Sequence, residues 1–100
     1  MRHLLVSVVV TVLLATPALA APAYRAEPAA APVQNQIVIR ETVWTREGAA
    51  FRGTESMSRP GTVCSRLVKK VGPLKRFEAS GTAMSDQDLQ KCNGAAPAAL

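Results

Sequence analysis

Val63 to Cys92 reads VCSRLVKKVGPLKRFEASGTAMSDQDLQKC, and this stretch decides the fold. Its first nine residues place Val63, Cys64, Leu67, Val68 and Val71 within an arc of roughly 140° at helical spacing, with Ser65, Arg66, Lys69 and Lys70 on the remainder. A one-sided helix is therefore expected. Ser58 stands ready to cap its start, Pro60 fits its first turn, and Gly72-Pro73 ends it. Leu74 to Ser80, bounded by Pro73 and Gly81, then reads as a strand with Phe77 and Ala79 on one face. Ser85 followed by Asp86 and Asp88 marks the start of a second helix, and Leu89 and Cys92 share a face of it.

Cys64 and Cys92 are the only cysteines. Their redox state depends on compartment, and the opposite end of the chain speaks to that. Met1-Arg2-His3 is followed by the apolar run LLVSVVVTVLLA over Leu4 to Ala15, then by Thr16-Pro17-Ala18-Leu19-Ala20 with an Ala-x-Ala cleavage pattern. The run falls short of the roughly 20 residues that span a bilayer and has the small-residue exit of a removable signal. Residues 1–20 are thus expected to be a signal peptide, and the protein periplasmic or secreted, with no membrane span after removal. In that setting the two cysteines are expected to form one disulfide, which suits a domain too small to rest on apolar burial alone.

Upstream, Gln36 to Thr45 (QIVIRETVWT) is rich in β-branched residues and reads as a single strand. Glu47-Gly48 turns it back into a second strand over Ala49 to Thr54. Residues 21–35 are Ala- and Pro-rich and are expected to be a disordered leader, residues 36–94 the stapled domain, and 95–100 a flexible tail. The fold class expected is α+β, with a small three-stranded antiparallel sheet and two helices in the order β-β-α-β-α. Whether Trp44 serves the core or a contact is left open at this point.

Ser58-Arg59-Pro60, Val63-Cys64, Val71-Gly72-Pro73-Leu74, Phe77, Gly81, Leu89 and Lys91-Cys92-Asn93 together resemble a group of small exported alphaproteobacterial proteins of unknown function. The likeness covers about residues 41 to 93. Members of that group often carry a further cysteine pair just after the Trp of the first strand. Thr45 to Arg52 contains none here, which leaves Cys64 and Cys92 as natural partners. The resemblance implies a fold and a compartment, and no activity.

The residue inventory argues against most chemistry. Loss of Arg2 and His3 with the signal leaves eleven of the twelve Lys and Arg against seven Asp and Glu, a net of +4, and no histidine. A chain without histidine, its two cysteines committed, lacks the usual metal ligands, so no metal and no cofactor are expected. No C-x-x-C pair suggests a redox enzyme. Ser56, Ser58, Ser65, Ser80 and Ser85 are present without an imidazole to activate them, so no catalytic residue is assigned and a small serine hydrolase ranks last among the readings. The expected role is a non-enzymatic interaction module. The alternative is electrostatic binding of an anionic envelope component through Arg66, Lys69, Lys70, Lys75 and Arg76. The partner would be an envelope protein or an anionic surface. Nucleic acid is not expected, since few aromatics interleave with these cations.

Overall fold

The computed structural model describes residues 8–11 and 23–97. The expected signal peptide and its cleavage site lie almost wholly outside the described residues. Eight elements follow in order: β1 (Tyr24–Pro28), β2 (Gln36–Ile39), β3 (Thr42–Glu47), β4 (Ala50–Gly53), α1 (Pro60–Val71), β5 (Leu74–Ala79), β6 (Thr82–Ala83) and α2 (Asp86–Asn93). The six strands form one antiparallel sheet in the order β2-β3-β4-β1-β5-β6. The α+β class and the two helices match expectation. The three-stranded sheet does not, because six strands are present among the described residues.

Three departures account for the difference. Tyr24-Arg25-Ala26-Glu27-Pro28, expected to be part of a disordered leader, is β1, and it lies between β4 and β5. Its apolar and charged residues alternate, so Tyr24, Ala26 and Pro28 are buried while Arg25 is exposed. Pro28 closes the strand where the register to β5 shifts, a position at which a missing N–H is tolerated. The stretch expected to be one strand, Gln36 to Thr45, reverses at Arg40-Glu41 into β2 and β3, with Ile39 opposite Thr42. Arg40 takes φ +54° there, a conformation that a two-residue hairpin demands and a non-glycine side chain adopts at a cost. Ser80-Gly81, at φ +50° and +79°, makes a second two-residue reversal into the short β6.

Both helices lie on one face of the sheet. Beneath them sit Trp44, Phe51 and Phe77, each about 1 % exposed, together with Tyr24, Ala26 and Leu74. Tyr24 lies 5.9 Å from both Trp44 and Phe77, centroid to centroid, so one aromatic cluster spans strands from β3 to β5. Trp44 therefore belongs to the core. α1 contributes Val63, Cys64, Leu67 and Val68, the arc that periodicity marks out. The opposite face, with Arg25, Thr45, Arg52 and Arg76, is open to solvent, as antiparallel sheets allow.

Candidate functional site

Cys64 and Cys92 form the expected disulfide, with Cα atoms 5.9 Å apart and both residues buried. The link ties the first half of α1 to the end of α2. A second tie lies one residue on: Asn93 Oδ1 accepts from the Leu74 amide at 2.8 Å, and Asn93 Nδ2 donates to the Leu74 carbonyl at 2.9 Å. A side-chain amide thus pairs with β5 as a neighbouring strand would. Sequence reading assigns Asn93 only the end of a helix, and the donor and acceptor pair of its side chain is the signal that points further. Ser85 caps α2 as expected, accepting from the Asp88 amide at 3.2 Å, with Asp86 and Asp88 in the first turn.

Between the start of α1, the β5–β6 hairpin and α2 lies a groove of about 700 Å³. Its floor is apolar, made by Phe77, Ala79, Met84 and Cys92. Arg59, Asp88 and Lys91, all exposed, stand at its rim. Ser85 and Cys92, at the two ends of α2, both line it, and β6 on its far wall is only two residues long. Arg59 is the N-cap of α1 and gives no side-chain hydrogen bond to it, in contrast to the capping role expected of Ser58.

Ser58 instead accepts from Arg66 Nη1 at 3.1 Å. Its amide donates to Ser56 Oγ at 3.1 Å, and Ser56 Oγ donates to Glu41 Oε1 at 2.6 Å. The Ser56 hydroxyl, followed by the backbone amide of Glu41 itself and by Arg66 and Arg40, holds the Glu41 carboxyl below its ordinary range. A serine does meet a carboxylate here, beside the shallow hollow formed with Glu55 and Met57. A carboxylate of lowered basicity, open to water, is a poor general base. The chain of bonds serves to anchor the β2–β3 turn to the approach to α1.

The five cations expected to act together occupy different settings. Arg66 is partly buried and bonded to Ser58, and it lines a small crevice with Ile39, Thr42 and Trp44. Arg76 projects from the opposite face of the sheet, paired with Glu78 at 2.6 Å. Lys69 and Lys70 are exposed in the last turn of α1, and Lys75 is exposed where β5 departs from regular register. Among the described residues no group of three or more His, Cys, Asp or Glu is placed to hold a metal. No helix among them is long and apolar enough to cross a membrane.

The model of a family of unknown function (DUF8200) matches residues 9–94. No curated protein and no solved structure matches the chain.

Proposed function

We propose that this chain, which belongs to the family of unknown function DUF8200, is a periplasmic or secreted module that holds a protein partner at its surface without catalysing a reaction. The observation that carries this reading is the groove beside the disulfide, where an apolar floor meets a rim of mixed charge. Such a surface suits a short partner segment with an apolar residue flanked by polar ones. Export is supported by the Leu4–Ala15 run and by a disulfide buried within the core. The absence of catalysis is supported by Glu41, whose lowered basicity disfavours activation of Ser56.

A photo-crosslinking residue at position 84, in the groove, tests the reading in exported protein. A discrete adduct is expected from that position and none from position 45 on the open sheet face. Adducts from position 45 with none from position 84 would sink the groove as the contact. Cell fractionation tests the compartment: the protein is expected outside the cytoplasm with no free thiol.

A second reading, contact with an anionic envelope surface, is favoured by Lys69, Lys70 and Lys75. They are exposed, form no ion pair among the described residues, and stand close in sequence around the α1–β5 junction. Glutamate at all three positions is expected to abolish salt-sensitive retention on anionic vesicles; retention unchanged by that triple substitution removes the idea.

A further inference from the structure

The two edges of the sheet are finished differently. On the β5 side, β6 covers Glu78 and Ala79, Met84 donates to the Phe77 carbonyl, and Asn93 occupies Leu74. That edge ends in a strand of only two residues, too short to offer a run of outward backbone groups. On the other side β2 pairs with β3 alone. The Arg46 amide donates to Asn35, and the Thr54 amide to Val43, so Asn35, Ile37 and Ile39 direct their backbone groups toward β3. Alternation then turns the N–H and C=O of Gln36 and Val38 outward, where no other strand among the described residues meets them. No charge, proline or bulge protects Gln36-Ile37-Val38-Ile39, and the Val38 side chain is 65 % exposed.

We infer that β2 pairs antiparallel with β2 of a second copy of this chain, joining two six-stranded sheets across a two-fold axis at Ile37. The placement of the free groups selects the occupant and the register. With Ile37 opposite its own symmetry mate, Gln36 of each copy exchanges both backbone hydrogen bonds with Val38 of the other, and every outward group of the strand is used. Centring on Val38 would instead bring Gln36 against Arg40, whose φ of +54° takes it out of the strand. The chosen register sets Arg40 opposite Gln34 and Glu41 opposite Val33, which is 92 % exposed, so no like charges meet. On the open face, Val38 gains an uncharged neighbour in Gln36 of the other copy. This pairing lies across the sheet from the groove and does not depend on what the groove holds.

Sedimentation of the oxidised full chain from about 1 µM to about 1 mM should show the mass doubling with concentration. Amide exchange should slow at Gln36 and Val38 as the dimer forms, while Ile37 and Ile39, already bonded to β3, stay protected throughout. Val38→Lys should keep the chain monomeric over the same range. Val38→Pro, which deletes an outward N–H and no bond to β3, should do the same with unchanged circular dichroism. A chain that stays monomeric at the highest concentration overturns the inference. So does a dimer that survives both substitutions, or one that leaves Gln36 and Val38 exchange unchanged.

Discussion

Gly53 shows how closely one residue can be held. An added Cβ there would fall 2.7 Å from Trp44 Cζ3, because Gly53 faces Trp44 across the β3–β4 pair and the indole lies over it. The glycine makes room for the largest core side chain. Gly53→Ala should therefore destabilise the fold by about 1 to 3 kcal/mol, measured by urea unfolding. Gly61→Ala, with nothing within 4 Å of an added Cβ, makes a matched control for the steric term. At Glu41 the sign follows from a lowered folded-state pKa. Its contribution is fully present above its ordinary 4.5 and is lost as pH falls through the lower folded value. The stability difference between the native chain and Glu41→Gln should thus hold steady at neutral pH and shrink only below that range. A difference that grows on acidification would contradict the Ser56–Glu41 bond.

At the scale of elements, what could be read from the sequence followed periodicity, and what could not followed backbone pairing. α1 was legible because five apolar residues repeat at helical spacing, and four of them, Val63, Cys64, Leu67 and Val68, are buried as that arc requires. The start of α2 was legible because Ser85 and its carboxylates are chemistry specific to a helix end. β1 was hidden by its composition: Ala and Pro suggest a mobile leader, while its stabilisation comes from main-chain bonds to β4 and β5 that no composition reports. The β2–β3 reversal was hidden because Arg40 holds a positive φ without the Gly or Asn that usually signals it. Of the candidate site, the cysteine pair was legible and the groove was not, since its walls come from three elements joined only by tertiary packing. Asn93 was half legible, as a helix end and not as a partner of β5. Asn93→Ala should cost about 1 to 3 kcal/mol by leaving the Leu74 amide and carbonyl unpaired. Asn93→Asp should cost a similar amount, since it keeps the bond from the Leu74 amide but sets a carboxylate oxygen against the Leu74 carbonyl. Equal stability of all three proteins in urea would show that water replaces the side chain.

For the whole molecule, the disulfide and β1 hold the same small core by different means. The bond closes a separation of 28 residues, and in the chain-entropy picture such a loop stabilises the native state by about 3 to 4 kcal/mol. That is a large share of the roughly 5 to 15 kcal/mol typical of a domain. Yet the bond joins only α1 and α2, and it leaves the sheet to be held by its own ladder. β1 is the strand through which the β2-β3-β4 side and the β5-β6 side connect, and Tyr24 and Ala26 bury their side chains at that junction. Reduction with alkylation should therefore lower the urea midpoint and leave a folded state detectable at low temperature. Removal of residues 21–35 should do more: with β4 and β5 no longer bridged, the aromatic cluster opens and the chain should lose its cooperative transition even with the disulfide intact. A truncated, oxidised chain that still unfolds cooperatively would mean that β4 and β5 can pair directly, and that the covalent link between the helices suffices to define the core.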